Sequence, residues 1–427
     1  MYIEKEISLY DFVNAISEVV DLILPAVNSH HKMVACIACR IAQEMKLPAE
    51  DIQNIILASM LHDIGAFSVG ERIKTLSIDT DETEMNRHAL LGYELLKNFE
   101  PLADAARLIK YHHTDFDISK PDIPLGSCII HLADRAVVLL NDRREVLSQI
   151  PEMLEKIAVK YHKFHPDVFA SFVRLSRLEY FWIEALSPSF GTVMLKKVLS
   201  SKKIIDLETL RSYTRVFAQI IDFKSRFTAA HSRGVAAVAR ELTVIFGFSE
   251  RECKLMEIAG LLHDLGKMAV SNEILEKKGK LNRDELNAIR KHTYYTYAAL
   301  SRIGGLEQAA IWAAHHHERP DGNGYPFHVK GEDFSKLARI MAAADVTTAL
   351  TEDRPYRPGM ERDKALEVLS VMAEDGGLDK KIVETINEHF LRINDVRISA
   401  QQEAKKEYEA FYNITPLLFA ENTKQSA

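Results

Sequence analysis

The stretch "SERECKLMEIAGLLHDLGK", residues 249–267, decides the reading of the fold. Ser249 has the chemistry of a helix N-cap, and acids follow it in the first turn. Apolar residues then recur with a period near 3.6 as far as Leu262. His263 and Asp264 come next, late in an apolar helix. An unpartnered buried carboxylate costs several kcal/mol, about the penalty that a bound metal ion turns into affinity. For a His-Asp pair alone, a helix end with two solvated polar residues is the simpler reading, so the rest of the chain has to decide. Working outward, "GVAAVARELTVIFGF" (234–248), "LEQAAIWAAHHHE" (306–318) and "KLARIMAAADVTTALT" (336–351) show the same helical period. Period-two alternation is nearly absent. The expected fold class is all-α.

The 427 residues allow two or three domains. A hydrophobic share of 47% and a charged share of 27% are ordinary for a globular protein. The net charge of −7 excludes a broad basic surface, so no duplex nucleic-acid partner is expected. Any anionic ligand must be held by local positive charge or by metal. The first residues lack the basic start and small-residue cleavage site of a signal peptide. No apolar run approaches the about 18 residues of a membrane helix. The four cysteines are too few for a disulfide framework. Cys36 and Cys39 lie in "MVACIACRIAQEM" (33–45), at helical spacing, and read as buried thiols rather than a redox pair. A cytoplasmic enzyme or signalling protein is expected.

Further candidates are His231, His292, His316, His317 and Asp345, several of which fall where a helix should show an apolar residue. Imidazole nitrogens and carboxylate oxygens suit iron, manganese, zinc, cobalt or nickel. With His263, and with Asp264 able to bridge, the set would fill a two-metal site. Behind His316-His317 runs "ERPDGNGYP" (318–326). Gly322 and Gly324 permit left-handed or tight backbone, and Pro326 stiffens the end of the loop beside Tyr325.

Together, "DFKSRFTAAHSRGVA", "LLHDLGK", "KHTYYTYAAL", "HHERPDGNGYP" and "AAADVTTALTEDRPYR" resemble the HD-GYP phosphodiesterases, a branch of the HD metal-dependent phosphohydrolases. The resemblance covers roughly residues 206–395. It implies hydrolysis of a cyclic dinucleotide, mainly cyclic di-GMP, by a metal-bridging hydroxide. The implied metal ligands are His231, His263, Asp264, His292, His316, His317 and Asp345, with Asp264 shared between two divalent ions, iron or manganese. His315 is a bystander in that alignment. Lys267 matches the residue that contacts the scissile phosphate. Tyr325, Arg354 and Arg357 match positions that hold the nucleotide. Some members carry a glutamate four residues before the first histidine and hold a third metal. Phe227 stands there, so two metals are expected.

The first half of the chain repeats the second. His30 and His231 differ by 201, as do His62-Asp63 and His263-Asp264. His88 and His292 differ by 204, as do His112-His113 and His316-His317, whereas Asp134 and Asp345 differ by 211. Such stepwise offsets are the mark of a duplication with loop insertions. The first half has Ala66 in place of Lys267 and Thr114 in place of Glu318, and it lacks the GYP loop and the "RPYR" segment. It reads as a divergent, regulatory HD domain over 1–187 that kept a second metal site of seven residues: His30, His62, Asp63, His88, His112, His113 and Asp134. "LSPSFGT" (186–192) marks the boundary, 188–205 is a helical linker, 206–395 is the catalytic domain, and 396–427 is a polar C-terminal helix and tail. The expected architecture is two tandem HD bundles. The alternatives are hydrolysis of 3',3'-cyclic GMP-AMP, and a cyclic-dinucleotide receptor or scaffold with little turnover. A homodimer or a signalling protein is the expected macromolecular partner. A di-iron oxygenase is disfavoured by the GYP loop and "RPYR".

Overall fold

The computed structural model describes residues 7–22, 29–66, 82–119, 122–141, 144–199, 204–223, 230–277, 279–353 and 358–425. The chain divides into two compact units: Ile16–Lys203 with Thr415–Ala427, and Ile204–Ile414 with Met1–Ala15. Helices dominate both. They are α1 (Leu9–Asp21), α2 (His30–Glu44), α3 (Ala49–Leu61), α4 (Glu82–Leu96), α5 (Ala103–Lys110), α6 (Leu125–Val138), α7 (Val146–Val159), α8 (Pro166–Leu175), α9 (Glu179–Ala185) and α10 (Pro188–Leu199). The series continues with α11 (Leu207–Phe223), α12 (His231–Ile245), α13 (Glu250–Leu262), α14 (Asn272–Leu275), α15 (Arg283–Leu300), α16 (Glu307–Ala314), α17 (Lys336–Thr351), α18 (Arg362–Glu374), α19 (Lys380–Glu388) and α20 (Phe390–Gln425). Among the described residues, strand is confined to one antiparallel ladder, Ile7–Ser8 against Ile204–Ile205. The fold is all-α, with tandem helical bundles.

The duplication is visible in the helix bounds. α2 and α12 start and end 201 residues apart, and so do α3 and α13. α5 and α16 are 204 apart at both ends, and α6 and α17 begin 211 apart. Insertions fell between packed elements because extra residues inside a packed helix would rotate its apolar face out of the core.

Local chemistry places the helix ends. Ser249 accepts from the Glu252 amide, and the Glu252 side chain accepts in return from the Ser249 amide, a capping box that starts α13. Asn282 and Glu285 do the same for α15. α13 then runs apolar to Leu262, with Leu261 and Leu262 fully buried. Each such leucine contributes about 1.5–3 kcal/mol. Close packing is enforced at Gly266, where a Cβ would fall 1.9 Å from the His292 carbonyl oxygen. Gly65 has the same role against His88, at 2.2 Å. These glycines bring the His-Asp turn onto the helix that carries the next histidine. Cys36 and Cys39 are free, fully buried thiols on α2, and burial pushes both up to about 12.

Candidate metal centres and their surroundings

Four of the histidines sit just past helix ends, where the last carbonyls have no intrahelical partner. His263 Nδ1 donates to the Gly260 carbonyl at 2.8 Å, and His316 Nδ1 to the Ala313 carbonyl at 2.6 Å. His62 and His112 repeat this with Ser59 at 2.8 Å and Ile109 at 2.7 Å. His292, inside α15, bonds the Ile289 carbonyl at 2.6 Å. A carbonyl can only accept, so Nδ1 carries the proton in each ring, and Nε2 of the neutral ring carries a lone pair. Those lone pairs converge. His292 Nε2 faces His316 Nε2 at 3.2 Å. Two lone pairs at that distance repel unless a positive centre lies between them. Ligand atoms on adjacent positions of one ion, with bonds of about 2.1 Å, are about 3 Å apart.

In the second unit, His231, His263 and Asp264 offer ligand atoms within 4.8 Å of one another, and so do His292, His316 and His317. Asp264 Oδ1 is buried and makes no hydrogen bond, but faces His292 Nε2 at 3.4 Å and His316 Nε2 at 3.8 Å. An orphaned carboxylate oxygen between imidazole lone pairs fits a cation, so the residues present suit a metal. Asp345 lies 3.1 Å from His231 Nε2. Burial alone would raise the Asp264 carboxyl, but His263 and Lys267 hold it well below the usual range. Asp345 is lowered against burial by His231. Burial takes His292 down to about 3, and lowers His316 and His317. These three rings are therefore neutral at pH 7, the form that binds metal. His231 goes the other way: burial opposes its charge, but Glu352 and Asp345 raise it to about 10.

Lys267 Nζ donates to Asp264 Oδ2 at 2.6 Å. Tyr325 stacks on His317, with ring centroids 4.9 Å apart. His315 turns away from the metal-ligand groups and packs on Phe327 and Phe334. In the loop behind the histidines, Gly322 takes φ +78°, and a Cβ at Gly324 would lie 2.3 Å from Glu318 Cα. Arg354, Arg357 and Phe227 lie outside the described residues.

The first unit assembles its histidines and acids as closely. Asp63, His88, His112 and His113 offer four ligand atoms within 4.8 Å of one another. His30, His62 and Asp134 form a second group, and His31, His62 and Asp63 a third. His113 Nε2 and His88 Nε2 are 3.0 Å apart. Asp134 also carries the guanidinium of Arg135, with Nε at 3.1 Å.

The roles of several residues at these sites escape a reading of the sequence. Glu318 accepts from the amides of Phe327, His328 and Val329, at 2.6, 3.1 and 3.2 Å, and so shapes the loop. Glu352 accepts from His231 Nδ1 at 3.1 Å and from Gln401 of α20 at 3.0 Å. The Arg290 guanidinium lies 5.2 Å from the Tyr325 ring centroid. Asp222 accepts from Ser232 at 2.8 Å, and burial raises its carboxyl to about 7. In the first unit, 201 residues earlier, Asp21 and His31 form the equivalent pair. The repeat offset could have revealed that pair, and nothing local to Glu352 or Arg290 marks them.

Two family profiles, each described as "HD domain", match residues 27–137 and 215–382. The chain is 30% identical to the 3'3'-cGAMP-specific phosphodiesterase 1 of Vibrio cholerae over 84% of its own length and 86% of that protein. It is 40% identical to the 3'3'-cGAMP-specific phosphodiesterase 3 of the same organism over 39% of this chain and 36% of that one. It is 35% identical to a cyclic di-GMP phosphodiesterase response regulator of Xanthomonas campestris over 41% of this chain and 46% of the other. A crystal structure of a cyclic GMP-AMP-specific phosphodiesterase of V. cholerae shares the fold, with a TM-score of 0.63 at 20% identity over 94% of this chain and 98% of that one. No helix among the described residues is long and apolar enough to cross a membrane.

Proposed function

The chain belongs to the HD-GYP-type cyclic-dinucleotide phosphodiesterases with two HD domains, and on that premise we propose that residues 206–395 carry the hydrolytic centre while the divergent first unit is regulatory. The protein is a metal-dependent hydrolase of a cyclic dinucleotide. The convergence of His292 and His316 on the orphaned oxygen of Asp264 carries the site assignment. In this reading His231, His263, Asp264 and Asp345 would hold one divalent ion, and His292, His316 and His317, with Asp264, would hold another. Iron or manganese suits these nitrogen and oxygen ligands. When bound, two such ions lower the pKa of water and polarise the phosphodiester.

The chain's own groups do the rest. Lys267 holds an ammonium beside Asp264, where negative charge grows on the phosphate as the ester bond breaks. Burial first, then Asp264 and Asp345, raises the Tyr325 phenol, which stays protonated and can donate to the nucleotide. Glu318 ties down the loop that carries Tyr325, so the donor is placed before substrate arrives. Arg354 and Arg357 supply the charge expected to meet the second phosphate or a guanine edge.

Cyclic di-GMP remains a candidate substrate from the motifs. A relative that matches 84% of the chain is named for 3'3'-cGAMP, which supports the mixed dinucleotide as the second candidate. The test is anaerobic loading of the purified chain with iron or manganese, incubation with each dinucleotide, and chromatography of the products. Hydrolysis is expected, and Asp264→Ala should abolish it with helical content unchanged. A folded Asp264→Ala protein with near-wild-type turnover would refute the site assignment, and the ratio of the two rates identifies the preferred substrate.

A further inference from the structure

The two candidate metal centres also differ at a further position outside the seven matched ligands. In the second unit, Asp222 at the end of α11 accepts from the Ser232 hydroxyl. In the first, Asp21 at the end of α1 meets His31 Nδ1 in a short contact. Both pairs obey the 201-residue offset of the neighbouring histidines. The carboxylate is the same; the group it holds changes from a hydroxyl to an imidazole. His31 and Asp21 are both buried, at 0% and 3% exposure. A ring nitrogen of His31 lies within 4.8 Å of ligand atoms of His62 and Asp63, and the His31 and His62 rings are 4.9 Å apart.

We infer that His31, oriented by Asp21, is an additional metal ligand of the first unit's centre, one that the second unit does not have. A carboxylate on one ring nitrogen and a metal on the other is the usual way a ligating histidine is held; the carboxylate fixes the tautomer and makes the ring a better donor. A serine hydroxyl is too short for this role, and Ser232 is turned to Asp222. With His31 the first unit offers the imidazoles of His30, His31, His62, His88, His112 and His113 and the carboxylates of Asp63 and Asp134. The second unit has one imidazole fewer. The ligand set of the first unit therefore favours a nitrogen-seeking first-row ion, such as iron, cobalt, nickel or zinc. Fuller ligation also leaves fewer positions for water or an anion, in keeping with Ala66 where the second unit has Lys267.

This inference rests on the reading that the first unit binds metal, and the experiment separates the two. The parent protein is the full chain with His263→Ala and Asp264→Ala, which disables the second centre. It is loaded with cobalt(II), and retention is titrated against a chelator while the visible spectrum is followed. His31→Ser, which copies the second unit, should weaken retention about 10–100-fold and shift the cobalt bands. Asp21→Asn keeps the side-chain volume and should act in the same direction by loosening the ring. Helical content and melting in chelator establish that each variant is folded. If His31→Ser is unfolded, Asp21→Asn decides. Unchanged retention and spectrum in a folded variant overturn the role of His31. A parent that retains no cobalt in the first unit overturns the underlying metal site, and the inference with it.

Discussion

Lys267 is where one side chain separates the two halves. Its ammonium lies 2.6 Å from Asp264, and Ala66 stands at the matching place in the first unit. Both halves keep their candidate ligands, so the lysine is not needed to assemble them. In the proposed mechanism its contribution falls in the transition state, where an added positive charge meets growing negative charge. Lys267→Ala should lower turnover by about 10²–10³ at unchanged metal content. Metal analysis alongside single-turnover kinetics checks this; a matching loss of metal would make Lys267 a structural partner of Asp264. The residue was legible because it follows the His-Asp pair within a recognisable motif. Arg290, which reaches Tyr325 from another helix, was not, because nothing in "AIRKH" records what it faces.

At the scale of the element, α20 gains a role beyond that of a polar tail. Its Gln401 donates to Glu352, which holds His231 Nδ1, whose Nε2 lies 3.1 Å from Asp345. Arg233 on α12 also reaches α20, through Glu403 and Glu407 at 3.1 Å each. A helix placed by sequence outside the proposed catalytic segment thus contacts Glu352, the partner of one of its candidate ligands. Glu352→Gln should weaken metal retention of the second centre about 10–100-fold, the usual cost of losing a carboxylate behind a ligating histidine. Gln401→Ala should weaken it in the same direction by less. Chelator competition on the full-length variants measures both, and retention equal to wild type in Glu352→Gln would show that the contact does not orient His231. Polar periodicity in "SAQQEAKKEYEAFYN" signals a helix but not its docking site.

At the scale of the whole molecule, one acid-sensitive group of the first unit has no counterpart in the second. His131 is buried in the first unit beside Phe164, with ring centroids 5.2 Å apart. The second unit has Ala342 at the corresponding place, 211 residues on. Burial, helped by Arg135, lowers His131 to about 4. The unfolded chain takes up this proton near pH 6.5 and the folded one only near 4, so stability is lost as pH falls through that window. Between pH 7.5 and 5 the loss is about 2 kcal/mol from this one group. His131→Gln should remove that part of the acid sensitivity. Urea denaturation at both pH values, with chelator present so that metal release does not enter, reads it. Equal pH dependence in variant and wild type would show that His131 is not held neutral.

Periodicity, capping residues and the stepwise offset by themselves determined the helices, the duplication and the identity of the candidate ligands, because each is written in local spacing along the chain. His62-Asp63 and His263-Asp264 could be matched from numbers alone. The ring nitrogen that each histidine presents is fixed locally, by the carbonyl three residues back that Nδ1 bonds, and only the tertiary structure decided that the Nε2 atoms from separate helices converge. Only packing brought Glu352 and Gln401 behind His231, 121 and 170 residues downstream of it. The pairing of Asp21 with His31 obeys the same offset as the ligands, but its meaning depends on where the ring lies. A serine and a histidine at equivalent positions look like ordinary divergence until the fold sets one of them beside His62 and Asp63. Contacts of that kind are made between helices, and the order of residues within a helix records only that a face is buried, not what it meets.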